Sequence, residues 1–68
     1  MSLVKRSLAI KGHRTSISLE AAFWEALHIQ ARNRTMSIAA LVAEIDQQRG
    51  ENNLSSAIRV WLLERAKI

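Results

Sequence analysis

The chain has 68 residues, no cysteine and a formal net charge of +4. A chain of this length forms one domain at most, and its single core is marginal without disulfides, a metal or oligomerisation. The lack of cysteine excludes disulfides and thiolate metal sites, and it fits a reducing compartment. No apolar run approaches membrane-spanning length, and no signal-peptide core follows the basic N-terminus. We therefore expect a soluble, cytoplasmic protein that gains stability as a homodimer.

Residues 1–12 are basic and allow two interpretations. Leu8 and Ile10 alternate with less apolar neighbours before Gly12, which is typical of a short extra strand that turns at the glycine. The same segment also fits a flexible basic arm. We therefore divide the chain into an N-terminal basic arm or short extra strand at 1–12 and a main domain at 13–68.

The stretch at 13–19 is the one convincing strand. Its side chains alternate between an apolar and a polar face: Thr15, Ile17 and Leu19 on one, Arg14, Ser16 and Ser18 on the other. A lone strand cannot satisfy its own backbone donors and acceptors, so it needs a partner strand. With no second good candidate in the chain, we expect the same strand of a second copy, paired antiparallel about a two-fold axis.

The excess of positive charge is concentrated near the N-terminus. Lys5, Arg6, Lys11 and Arg14 lie in the first nineteen residues with no acidic residue among them, whereas the later basic residues are matched by acidic ones. A basic segment that leads into an exposed polar strand face suits a polyanion, because each neutralised phosphate releases condensed counterions. A solubilising arm is the alternative interpretation of the same charges.

Three amphipathic helices are predicted after the strand. The first spans about 20–32, and Asn33 is expected to close it in the left-handed conformation. The second runs from a Ser37 cap to near Arg49, and the third begins after a cap at Asn53.

The apolar stripes of these helices and the apolar face of the strand predict a core shared by the two copies. Val60 and Leu63 lie off the stripe of the third helix, which indicates that this helix packs across the dimer. The predicted dimer core consists of Thr15, Ile17, Leu19, Phe23, Leu27, Leu41, Val42, Ile45 and Trp61.

A strand, a helix, a turn and a second helix in this order resemble the ribbon-helix-helix DNA-binding family of MetJ and Arc type. The resemblance rests on Thr-Ser-Ile-Ser-Leu-Glu at 15–20, Phe-Trp-Glu-Ala-Leu at 23–27 and Met-Ser-Ile-Ala-Ala-Leu-Val at 36–42. The chain is also similar to a bacterial subgroup with an extra C-terminal helix. The resemblance implies a mostly α-helical dimer with an intersubunit antiparallel two-stranded ribbon that enters the DNA major groove, plus a third helix.

The resemblance also implies a set of DNA contacts, carried over by position. The base-contacting side chains are expected to be Arg14, Ser16 and Ser18. The start of the second helix at Ser37 is expected to hold a phosphate with free backbone amides. Further phosphate contacts are expected from the basic segment and the start of the strand, namely Lys5, Arg6, Lys11 and His13.

Two features depart from the family pattern. Many members have glycine between the two helices, where this chain has Thr35. In addition, Asn-Leu-Ser-Ser-Ala-Ile-Arg at 53–59 itself resembles the start of the family's second helix, which would make residues 37–49 an insertion and place Ser55 at the phosphate. We favour the first register, because the connection from the strand to the second helix then has the ordinary length.

No catalytic or metal site can be assembled from the sequence. His13 and His28 are the only histidines and the acidic residues are scattered singly, so we expect no enzyme, metal or cofactor. The predicted function is a dimeric, sequence-specific repressor of transcription that binds double-stranded DNA, with higher-order assembly on DNA left open. The alternative is an interaction or dimerisation module, or an antitoxin-like adaptor, that docks a protein partner through its apolar C-terminal helix. No membrane contact is expected.

Overall fold

The chain begins with a hairpin of two antiparallel strands and continues with three helices. The computed structural model describes residues 2–66, so Met1 and the last two residues of the predicted range 13–68 lie outside the described residues. Strand β1 is Leu3–Ile10 and strand β2 is His13–Glu20. The two strands pair along their whole length and form a two-stranded sheet.

The hairpin turns through Lys11 and Gly12. Both residues have positive φ, 53° and 80°, as a two-residue type I′ loop requires at its two central positions. Glycine adopts this conformation without strain, which explains its place at the end of the turn. Of the two interpretations of residues 1–12, the structure shows the strand that turns at Gly12. The expectation of a single N-terminal strand is wrong, because Leu3–Ile10 of the same chain supplies a partner strand for His13–Glu20.

Three helices follow the hairpin: α1 Ala21–Asn33, α2 Ile38–Gln48 and α3 Leu54–Ala66. Two of them begin at the predicted caps, where a short polar side chain satisfies an amide of the first turn. The Ser37 hydroxyl accepts a hydrogen bond from the Ala40 amide at 3.0 Å. The Asn53 side-chain oxygen accepts one from the Ser56 amide at 3.2 Å. Both caps are thus confirmed.

The turn between α1 and α2 is a Schellman motif. The Met36 amide bonds to the Ala31 carbonyl at 2.9 Å and the Thr35 amide to the Arg32 carbonyl at 3.1 Å, as this motif requires. The left-handed residue is Thr35, with φ 56°, and not Asn33 as predicted. Threonine therefore adopts here the conformation that glycine adopts most easily, so the turn has its left-handed residue without a glycine.

The helices pack on one face of the hairpin and bury the core between them. α1 and α3 contact β2, α2 contacts β1, and each helix contacts the other two. The buried residues come from both strands and all three helices: Ile10, Ile17, Leu19, Trp24, Leu27, Ala31, Leu41, Val42, Ile45, Ile58, Trp61 and Leu62. Burial of these side chains is the main stabilising contribution to the fold.

β1 is anchored to the helices as well as to β2. The indole Nε1 of Trp24 donates a hydrogen bond to the Val4 carbonyl oxygen at 2.8 Å, which ties α1 to β1. Ile10 at the other end of β1 is 5% exposed. The strand is therefore part of the packed domain, with contacts to the core at both of its ends.

Candidate nucleic-acid interface

The hairpin face that points away from the helices is polar and basic. Directly paired residues of antiparallel strands share a face. Beyond the terminal pair of Leu3 with Glu20, the pairs on this side are Lys5 with Ser18, Ser7 with Ser16, and Ala9 with Arg14. We call these six residues the outer face. All are exposed except Ser18, which is half-buried. The structure thus brings Arg14, Ser16 and Ser18 onto one surface, as the alternation in the sequence predicts.

Strand β1 contributes half of the outer face. The sequence pattern allowed an extra strand in 1–12 but did not place its residues on this face. Lys5 lies beside Ser18 across the ribbon instead of in a separate arm. Ser7 faces Ser16, with their hydroxyl oxygens 3.4 Å apart. The signal for this pairing is a two-residue loop ending in Gly12 between two runs of eight residues.

Two of the predicted phosphate contacts lie on the opposite side of the hairpin. Arg6 is paired with Ile17, and His13 with Ile10, so both belong to the face that the helices cover. The Arg6 guanidinium carbon lies 5.5 Å from the centroid of the Trp24 ring, a cation–π contact. The structure therefore does not bring Arg6 and His13 together with the outer face.

Of the five predicted phosphate contacts, Lys11 and Ser37 lie outside the strands. Lys11 is exposed at the tip of the hairpin, and Ser37 is exposed at the N-terminus of α2. The Ser37 side chain satisfies the amide of Ala40. The amides of Ile38 and Ala39, in the first turn of α2, have no acceptor within the helix and point out from its positive end.

An acidic residue ends β2, but it is engaged by a helix. Arg59 Nε in α3 donates a hydrogen bond to Glu20 Oε1 at 3.0 Å. The backbone amide of Glu20 and then Arg59 stabilise the charged carboxylate, which lowers the pKa of Glu20. Because this negative charge is paired with Arg59, it cancels little of the positive charge that Lys5 and Arg14 give to the outer face.

Most of the predicted dimer core is buried within a single chain. Thr15 and Phe23 are half-buried. The remaining residues of that set are covered by the chain's own strands and helices: Ile17, Leu19, Leu27, Leu41, Val42, Ile45 and Trp61. That these residues also meet a second copy stays a prediction. The large apolar side chains left exposed include Val60 and Leu63 of α3, at 52% and 59%.

Residues 2–66 contain no group of three or more acidic or histidine side chains placed to hold a metal ion. Nor does this part of the chain contain a helix that is both long and apolar enough to span a membrane.

Comparison with known proteins identifies a family. A family model described as a ribbon-helix-helix domain matches residues 3–66. No curated protein and no solved structure matches the chain significantly. The family match runs from the first residue of β1 to the last residue of α3, so it includes the hairpin and the third helix.

Proposed function

Because the chain belongs to the ribbon-helix-helix family, whose members generally bind DNA, dimerise and regulate transcription, we propose that it is a sequence-specific repressor that reads DNA with the outer face of its β1–β2 hairpin. The observation that carries the proposal is the outer face itself. It is exposed, carries Lys5 and Arg14, and presents short serine side chains between them.

The proposed DNA contacts of the hairpin divide into residues that contact bases and residues that contact phosphates. Arg14 has a planar fork that can donate two hydrogen bonds to the O6 and N7 atoms of guanine in the major groove. Ser16 and Ser18 are short, so they let the ribbon approach the base edges and can both donate and accept. Lys5 near one end of the hairpin and Lys11 at its tip neutralise backbone phosphates.

The width of the groove favours the hairpin of one chain as the element that enters it. Neighbouring strands lie about 4.7–4.9 Å apart, and the major groove is about 12 Å wide. Pairing β2 with β2 of a second copy, with both β1 strands retained, would give four strands spanning roughly 14–15 Å between the outer backbones. Such a sheet is too wide to lie face-on in the groove, whereas a two-stranded ribbon fits.

We propose that the second copy docks instead on α3, where Val60 and Leu63 are exposed.

The chain has no cysteine, so single-cysteine variants report the dimer geometry without interference from other thiols. Leu63→Cys should form a disulfide-linked dimer on mild oxidation, and Ser16→Cys, at the centre of the outer face, should not. Efficient cross-linking through Ser16→Cys alone would instead support a β2–β2 ribbon with β1 displaced. Sedimentation should show a dimer at micromolar concentration, and a folded monomer at all concentrations would contradict both arrangements.

Selection from a random library of DNA duplexes tests the proposed function. We expect an enriched site that contains guanine, with an affinity that falls linearly with the logarithm of salt concentration. A library that shows no enrichment would contradict sequence-specific binding.

A protein-docking module is the second candidate function. The supporting observation is the same exposed pair on α3 beside a groove between α2 and α3, which Ile45, Arg49 and Trp61 help to line. This candidate predicts that the random DNA library shows no enriched site. It also predicts a complex with a protein partner that Leu63→Ser disrupts.

A further inference from the structure

Two arginines outside the hairpin converge on one indole ring. The guanidinium carbons of Arg34 and Arg65 lie 5.1 Å and 4.3 Å from the centroid of the Trp61 ring. Arg34 is the C-cap residue of α1, and Arg65 lies in the last turn of α3. The two cations are thus no farther apart than the sum of these two distances, although they come from different elements.

Within residues 2–66, these two arginines retain hydrogen-bond donors without a partner. The ion pairs within residues 2–66 use Arg49 and Arg59, and the side chains of Arg34 and Arg65 donate no hydrogen bond to a described residue. A guanidinium that stacks on a ring makes the contact with its flat face, so its N–H donors, which lie in the plane, point past the ring. Those donors are available to an anion.

The contact with the ring restrains both cations before any ligand arrives. Trp61 is 8% exposed and is held in the core by packing, so it is a rigid platform. Side chains already ordered in this way lose less entropy on binding. The two like charges also repel each other, and an anion that contacts both would reduce that repulsion. Glu64, the acidic residue next to Arg65, lines the groove between α2 and α3 and makes no ion pair with either arginine in the described chain.

We propose that Arg34 and Arg65, held on Trp61, form a clamp for a phosphate of the DNA backbone. The inference rests on the proposed function. Arginine forks match the oxygens of a phosphate in a bidentate geometry. Duplex DNA carries one negative charge per about 1.7 Å of its axis, so a duplex that lies along a domain with a longest extent of 34 Å presents phosphates beyond those beside the hairpin. α3 thus contributes Arg65 to the DNA contact and provides the ring that positions Arg34.

The test compares the double variant Arg34→Gln/Arg65→Gln with a matched control, Arg32→Gln. Arg32 is exposed in the last turn of α1, two residues from Arg34, and makes no cation–π contact with Trp61. Affinity is measured for the selected duplex and for random duplex at several salt concentrations. Counterion release alone makes each phosphate contact worth on the order of five-fold near 0.15 M salt. We expect the double variant to lose roughly 25-fold on both duplexes and the salt slope to fall by about two. The control should lose less than about two-fold.

Several outcomes would overturn the clamp. If wild type binds DNA and the double variant behaves like Arg32→Gln, the clamp is wrong while the proposed function stands, as would follow if the arginines served an acidic protein partner. If wild type binds no duplex, the proposed function and the clamp fail together. The double variant Arg34→Lys/Arg65→Lys keeps the charge, so it should keep most of the salt slope while binding more weakly. If the lysine variant lowers the salt slope as much as the glutamine variant does, counterion release at this site is contradicted. Circular dichroism of each variant checks the fold.

Discussion

The two faces of the β1–β2 hairpin are built from alternating residues of the same strands but differ in burial and in what they contact. The inner face carries Ile17 and Leu19, which are 2% and 0% exposed. The outer face carries Lys5, Arg14 and exposed serines. Because the period of a strand is two, a step of one residue moves a side chain from the core to the surface. Sequence neighbours in this hairpin therefore have different roles, one in folding and the other in binding.

The largest effect is expected from placing the same charge on the two faces. Ile17→Asp places a carboxylate at a core position that is 2% exposed, and Arg6 across the ribbon offsets only part of the cost of burying this charge. The variant should therefore lose more than about 4 kcal/mol and be largely unfolded. Ser16→Asp places that carboxylate in solvent, so the free energy of unfolding should change by less than about 0.5 kcal/mol. Denaturant titration gives both values.

The same pair also separates folding from binding. Ser16→Asp should remove DNA binding although the protein stays folded, because the new negative charge faces the phosphates. A folded Ile17→Asp variant, or a Ser16→Asp variant that still binds DNA, would contradict the claim that the inner face serves folding and the outer face serves DNA binding.

A smaller effect is expected from the neighbouring cations Lys5 and Arg6, which lie on opposite faces. Lys5→Ala should weaken selected and random DNA about equally and lower the salt slope by about one. Arg6→Ala removes the contact with Trp24, so it should cost about 0.5–1 kcal/mol of stability and change the slope much less. Equal changes in the salt slope for Lys5→Ala and Arg6→Ala would show that DNA binding does not depend on which face of the hairpin carries the cation.

The acidic end of the hairpin provides a test by pH. The pKa of Glu20 is lowered in the folded protein, so its charged form stabilises the fold above the ordinary carboxyl value of 4.5. That contribution is lost as the pH falls through the lowered pKa. Glu20→Gln should therefore destabilise the protein at pH 7, and the difference from wild type should shrink in acid. Glu25→Gln, on the exposed side of α1, is the control. A difference for Glu20→Gln that is constant with pH would contradict the pairing with Arg59.

Local rules made much of the fold predictable. The caps at Ser37 and Asn53 follow from short-range hydrogen bonding. The three helices follow from the periodicity of their apolar residues. Strand β1 was harder to recognise, because Arg6 interrupts the apolar alternation of its inner face. Lys11 also occupies a positive φ that asparagine or glycine usually signals.

The candidate site was predictable only where one strand defines it. Because successive side chains of a strand point to opposite faces, the sequence of β2 alone places Arg14 and Ser16 on the same face. The contribution of Lys5 depends on the pairing with β1. The convergence of Arg34 and Arg65 on Trp61 joins residues from the α1–α2 turn and from α3, and no local pattern in the sequence signals such a contact.

The affinity of Arg14→Ala for the selected operator and for random duplex tests most directly whether the outer face reads bases. We predict a loss of about 1–3 kcal/mol on the operator, or roughly 5- to 150-fold, and a much smaller loss on random DNA. Ser16→Ala, the neighbouring residue on the same face, should cost less on the operator than Arg14→Ala. An Arg14→Ala variant that binds the operator as tightly as wild type, or that weakens operator and random DNA to the same degree, would contradict base reading by the hairpin.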